Sequence, residues 1–228
     1  MIFDFIAARL AQGTPTARVP ASDVSLPPRF RGRAVPREAL PVLDLGTCLF
    51  SPEEAGDSRD HAIAFSRDPR MASSSREGLR LSGAEAPHVE ALAPAMRALF
   101  GRSLRLRSVA AGSCGGCEAE LSALGNVVFD MARFGIQFVA SPRHADGLVV
   151  SGALSRNMEG ALRSTWEAVA EPKLVIVVGA CAVSGGPFRG SPEVRNGIPD
   201  DIPVDLWIPG CPPHPMTVLD GLLRLLGR

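Results

Sequence analysis

The segment Leu174-Val-Ile-Val-Val178 constrains this chain more than any other. Five apolar residues follow one another without alternation and stop at Gly179. Such a run predicts a strand buried on both faces, as in a parallel sheet covered by helices. The neighbouring sequence agrees. Leu104-Arg-Leu-Arg-Ser-Val-Ala110, Ile136–Ala140, Gly147–Ser151 and Val204–Ile208 read as further strands. Between and after them, apolar residues fall at helical spacing: Leu121, Leu124, Val128 and Met131; Met158, Leu162, Trp166 and Val169; Met216, Leu219, Leu222, Leu223 and Leu226. Strands alternating with helices predict a doubly wound α/β domain over residues 104–228.

Residues 1–103 have a different texture, and are expected to form an irregular extension. Pro15, Pro20, Pro27, Pro28, Pro36 and Pro41 interrupt the first part and Ser73-Ser-Ser75 the later part. A helix is expected near Glu90–Leu99. Ile2, Phe3, Ile6 and Leu10 share one face of an amino-terminal helix, expected to pack on this protein or on a partner. Arg9 alone is too little positive charge for membrane-surface binding. The amino terminus lacks the basic and apolar regions of a signal peptide, so the cytoplasm and reduced thiols are expected. Lys and Arg total 24 and Asp and Glu total 24, which excludes a nucleic-acid binder driven by bulk basicity. No apolar run approaches the roughly 20 residues that span a bilayer.

Five cysteines are present, an odd number that fits a disulfide framework badly. Cys114 and Cys117 follow the first strand, Cys181 follows the apolar strand, and Cys211 follows the last. The carboxyl ends of parallel strands lie along one edge, where ligands bind. Three strand-end loops would bring four thiolates to that edge. A sulfur-only set suits structural zinc or an iron–sulfur cluster. Zinc sites of this type usually pair two C-x-x-C knuckles. Here one C-x-x-C is joined by two distant single cysteines, which favours a 4Fe–4S cluster over zinc and over a thioredoxin-like dithiol.

Four stretches resemble a known family: Ser113-Cys-Gly-Gly-Cys-Glu-Ala-Glu-Leu121, Ser141-Pro-Arg-His-Ala-Asp146, Val178-Gly-Ala-Cys-Ala-Val-Ser-Gly-Gly186 and Pro209-Gly-Cys-Pro-Pro213. They are similar to the small subunit of complex-I-like, energy-converting nickel–iron hydrogenases. The same family takes in the formate hydrogenlyase small subunit and the 20 kDa subunit of NADH–quinone oxidoreductase. The resemblance covers residues 104–228. It implies a flavodoxin-like domain holding one 4Fe–4S cluster on Cys114, Cys117, Cys181 and Cys211. It also implies electron transfer to or from a hydrogenase-like large subunit, a ferredoxin-type electron-transfer subunit, and membrane subunits reached indirectly. The complex would lie on the inner face of the cell membrane. The quinone-reducing branch typically carries adjacent cysteines at the first position, so Cys114-Gly-Gly-Cys117 favours the hydrogenase or formate hydrogenlyase branch. A quinone-reducing subunit and a non-redox, zinc- or cluster-stabilised assembly protein are the alternatives.

Leu43–Ser51 and His61–Phe65 look like half of a ferredoxin subunit from the same complexes. Laying C-x₂-C-x₂-C-x₃-C on Cys48 places Ser51, Glu54 and Ser58 at the other ligand positions, which implies a degenerate segment without a cluster. Glu118 and Glu120 are candidates for a carboxylate at the cluster or an interface, with Glu120 the stronger. Arg143 and His144 are candidates for the same surroundings, and Asp146 for fixing a loop. His214 is a candidate for tuning the cluster through a hydrogen bond. No Ser/His/Asp arrangement, phosphate loop or dinucleotide fingerprint is present, so no residue is assigned a catalytic role.

Overall fold

A computed structural model of the protein describes residues 2–19, 26–36, 42–51 and 63–228. The first part holds α1 (Ile2–Gln12), β1 (Ala34–Pro36), β2 (Leu43–Asp44), β3 (Ile63–Phe65), β4 (Arg80–Leu81) and α2 (Pro94–Phe100). The second holds β5 (Leu104–Ala110), α3 (Gly116–Ala123), β6 (Ile136–Phe138), β7 (Gly147–Ser151) and α4 (Arg156–Ala168). After these come β8 (Leu174–Val178), α5 (Ala180–Ser184), β9 (Leu206–Ile208) and α6 (Pro215–Leu225).

Strands β5 to β9 form one sheet in the order β6-β5-β7-β8-β9, every pair parallel. This is the flavodoxin-like order, with its switch point between β5 and β7. All five residues of β8 are buried, as their uninterrupted apolar run requires. Alternate strand residues serve opposite faces. Leu148, Val150, Val175 and Val177 join one core, where Leu162 of α4 packs. Leu106, Val149, Ile176 and Val178 join the other, with Leu121 of α3 and Leu219 and Leu222 of α6.

The extension is part of both cores. Leu45, Cys48, Phe50, Met71 and Leu79 lie in the first, and Ala72, Val89 and Phe100 in the second. Its strands pair antiparallel across long sequence gaps, β1 with β3 and β2 with β4. Ser73 forms an antiparallel bridge to Trp207 through hydrogen bonds of 2.9 and 2.8 Å, covering the outer edge of β9.

Several elements are shorter than their sequence pattern predicts. The helix expected to run on to Met131 stops at Ala123. The Asn126 side-chain oxygen accepts the backbone N–H groups of Val128 and Phe129, and Asp130 takes a positive φ of 44°. A new turn therefore replaces the helix, and Val128 is left exposed. β6 ends at Phe138, and β9 begins at Leu206, after Asp205 has accepted the Val175 N–H. α2 begins at Pro94 rather than Glu90, since proline suits a first helical turn. α1 forms as expected, but Phe3, Phe5, Ile6 and Leu10 are exposed rather than packed on this protein. Of the ferredoxin-like positions, Ser51 is described; Glu54, Ser58 and His61 lie outside the described residues.

Candidate metal centre

Loops from β5, β8 and β9 bring cysteines to the carboxyl edge of the sheet. Cys114 is exposed in the turn after β5, and Cys117 is buried in the first turn of α3. Cys181 is buried in α5, directly beyond β8, and half-buried Cys211 follows β9. Gly179 leads from β8 into α5 at a φ of +91°, which disfavours any other residue. A Cβ there would lie 2.5 Å from Cys117 Sγ, so the loop approaches its neighbour's thiol only as glycine.

Burial pushes the Cys117 thiol up to about 12, and negative charge on Glu118, Cys181, Cys211 and Cys114 adds to the effect. Burial likewise raises Cys181 to about 11, with Cys211 and Cys114 contributing. Cys117 and Cys181 thus each sense the charge of other cysteines at this edge. Ionising them together requires a compensating cation. An all-sulfur donor set of this kind suits soft metals, iron–sulfur clusters and zinc among them. Among the described residues, no three His, Cys, Asp or Glu side chains form a ready single-ion site.

Glu118 is the carboxylate coupled to these thiols. Ser151 Oγ donates a short hydrogen bond to Glu118 Oε1. Burial opposes ionisation, but hydrogen bonds from Ser151, Ser113 and the residue's own backbone outweigh it and hold the acid below its ordinary value. Among the described residues, its buried Oε2 has no hydrogen-bond partner. Ser151 itself was not singled out in the sequence; a lone serine ending the apolar run Gly147-Leu-Val-Val was the available signal. Glu120 is raised by burial and borders a cleft of about 250 Å³, together with Arg29, Phe30, Phe50, Cys211 and His214.

His214 stands at the amino end of α6, where its Nδ1 accepts the Met216 N–H at 3.1 Å. The rings of Phe30 and Phe129 meet it edge-on, at 5.0 and 5.6 Å between centroids. Burial lowers its pKa. Arg143 and His144 are on a 3₁₀ turn beyond the carboxyl end of β6, the edge strand that pairs with β5. Asp146 does fix a loop: it accepts the Arg105 N–H at 2.7 Å and pairs with the Arg105 side chain. Cys48 is 5% exposed and belongs to the core that also takes in Ala182 and Val183.

A five-stranded parallel sheet in flavodoxin-like order, with four cysteines on the segments at its carboxyl edge, defines the class: a doubly wound α/β protein. Residues 114–225 match the profile of the family described as the 20 kDa subunit of NADH–ubiquinone oxidoreductase. The chain belongs to that family, whose members are subunits of oxidoreductase complexes. A subunit of the NADH-quinone oxidoreductase of Bacteroides fragilis is 48% identical over 116 residues, covering 50% of this chain and 58% of that protein. Formate hydrogenlyase subunit 7 of Escherichia coli K12 is 44% identical over 55% of this chain and 49% of that one. A protein described as probable membrane-bound hydrogenase subunit mbhJ, from Pyrococcus furiosus, is 39% identical over 57% of this chain and 77% of its own length. The chain therefore spans little more than half the length of the first of these relatives. Among solved structures, a chain of the archaeal membrane-bound sulfane sulfur reductase complex superposes with a TM-score of 0.52 and 29% identity, covering 60% of this chain and 75% of that one. Among the described residues, no helix is long and apolar enough to cross a membrane.

Proposed function

We propose that this protein is the electron-transfer subunit of a membrane-associated hydrogenase or formate hydrogenlyase complex, carrying one 4Fe–4S cluster on Cys114, Cys117, Cys181 and Cys211. The observation that carries the reading is that the segments after β5, β8 and β9 bring four cysteines to one edge of the sheet, two of them buried, where a charge on one opposes ionisation of another. The cluster supplies their compensating positive charge and a reversible one-electron couple. The chain's own residues hold it and restrict water: Cys117 and Cys181 from buried helix turns, Cys114 and Cys211 from more open loops. The open side, with Glu120 and the cleft at Cys211, suits a hydrogenase-like large subunit as electron partner. A ferredoxin-type subunit stands on the other side of the relay. Membrane subunits tie the complex to the inner face of the cell membrane. The extension carries no cluster in this reading, and Cys48 is the remnant of a lost ligand set.

The Cys114-x-x-Cys117 spacing supports the hydrogenase-like branch over the quinone-reducing one. The 48% identity to a quinone oxidoreductase protein keeps quinone reduction as a second reading. Anaerobic purification followed by iron, sulfide and zinc analysis and electron paramagnetic resonance tests the centre. About four irons and a reducible 4Fe–4S signal are expected. A colourless, zinc-bearing protein overturns the proposal in favour of a structural assembly role. Hydrogen-dependent viologen reduction by the whole complex, without quinone, separates the two branches.

A further inference from the structure

A side-chain hydrogen bond joins the irregular extension to the helix that bears Cys181. Asp44, Leu45, Gly46 and Thr47 form a tight turn after β2. The Asp44 carboxylate accepts the Gly46 N–H at 2.8 Å, and Thr47 Oγ1 donates to the Asp44 carbonyl at 3.1 Å. Arg76, far along the chain, grips the same carboxylate with both guanidinium nitrogens, at 2.9 and 2.8 Å. The ion pair is only about a quarter to a third exposed, and its forked geometry fixes direction as well as distance. Leu45 adds a backbone bond to Leu79 at 2.9 Å, which locks the turn to the β2–β4 pair.

The turn points its carbonyl at α5. Ser184 Oγ donates to the Gly46 carbonyl at 2.7 Å and lies 3.1 Å from the Ala180 carbonyl. The hydroxyl has one proton, and the shorter bond crosses to the extension. A Cβ at Gly46 would lie 2.6 Å from Val183 Cγ1 and 2.8 Å from the Arg76 guanidinium carbon. Backbone, arginine and helix therefore meet where only glycine fits. α5 has five residues, all buried, too few to hold their own shape in isolation. On its other side, Ile198 donates to the Ala182 carbonyl at 3.0 Å.

We propose that the Asp44–Thr47 turn is an internal brace for the Cys181 helix, with Ser184 the positioning residue that couples the two. The proposal rests on reading Cys181 as a cluster ligand. It gives the amino-terminal half a task in the centre without giving it a ligand. Ser184 is not one of the four proposed ligands; it fixes the helix whose second residue is Cys181.

The test compares full-length wild type with Ser184→Ala and Arg76→Gln, purified without oxygen. Three quantities are read: iron release to a ferrous chelator, the electron paramagnetic resonance spectrum, and hydrogen exchange of the Val183 and Gly185 amides. Release in Ser184→Ala is expected to accelerate about fivefold, the worth of one hydrogen bond of about 1 kcal/mol. Its resonance should broaden and the two amides should exchange several-fold faster. Arg76→Gln should follow in the same direction. Unchanged release, spectrum and exchange in both variants overturn the brace while leaving the cluster reading intact. A wild type without iron and sulfide overturns the cluster reading instead. The exchange rates then still decide whether the turn restrains α5, with equal rates in all three proteins counting against it. A lowered melting temperature with an unaltered spectrum and unaltered amide exchange also counts against it, since general destabilisation suffices for that.

Discussion

Cys181 and Cys48 are both buried thiols, 9% and 5% exposed. Cys181 is part of α5; Cys48 belongs to the core cluster that includes Ala182 and Val183 of the same helix. Their surroundings nevertheless differ in kind. Cys181 carries the electrostatic load of Cys211, Cys114 and Glu118. Cys48 shares its core with Leu45, Phe50 and other aliphatic and aromatic side chains. Burial alone makes a cysteine a small hydrophobe. Convergence of several thiols makes a site.

The harshest challenge to this contrast is Cys181→Ser. The iron content is expected to fall from about four per chain to near zero, or the cluster to convert to a form with fewer irons. Full retention of the wild-type resonance would remove Cys181 from the centre. Cys48→Ser should act in the opposite sense: unchanged iron and spectrum, but about 1–3 kcal/mol less stability, because a hydroxyl replaces a thiol in an apolar core. Chemical denaturation measures the second effect, and any loss of iron would place Cys48 inside the centre after all.

Glu118→Gln sharpens the comparison by removing a charge that acts on Cys117 and Cys181. Losing a negative charge favours the reduced cluster, so its potential should rise by tens of millivolts, on the order of 1 kcal/mol for one electron. Potentiometric titration checks this, and a fall in potential would contradict it. The smallest effect concerns His214. Burial holds the folded imidazole below its ordinary 6.5, so the unfolded chain takes up a proton first as the pH falls. Its contribution to stability is present above about 6.5 and is lost as the pH falls through the depressed value. His214→Asn keeps a residue able to cap α6 and removes this titration. The melting temperature should then drop less between about pH 7.5 and about pH 5 than in wild type.

The same contrast explains what could be read in advance. β8 announced itself because five successive buried residues leave a local pattern, and the thiols at the ends of β5, β8 and β9 followed from the parallel order. The extension left no such pattern. Its strands are two or three residues long, and their partners are remote, as when Leu43 meets Leu81 and Ala34 meets Phe65. Periodicity needs length, so pairs this short stay silent in the sequence. The overlong helix after Cys117 failed for another reason. Leu124, Val128 and Met131 kept helical spacing, but the Asn126 side chain offered the backbone a competing set of hydrogen bonds. The family resemblance favours Glu120, whereas the meeting of Glu118 with Ser151, brought over from β7, leaves no mark in the sequence.

The bridge between Ser73 and Trp207 has a consequence for handling the isolated protein. β9 is the last strand of its sheet, and a bare outer strand is a template on which other chains add strands and aggregate. Ser73 occupies the Trp207 N–H and carbonyl with its own backbone. A fragment beginning at residue 104 would expose that rim, so trimming the chain to its family-matched half should yield a sticky protein rather than a minimal one.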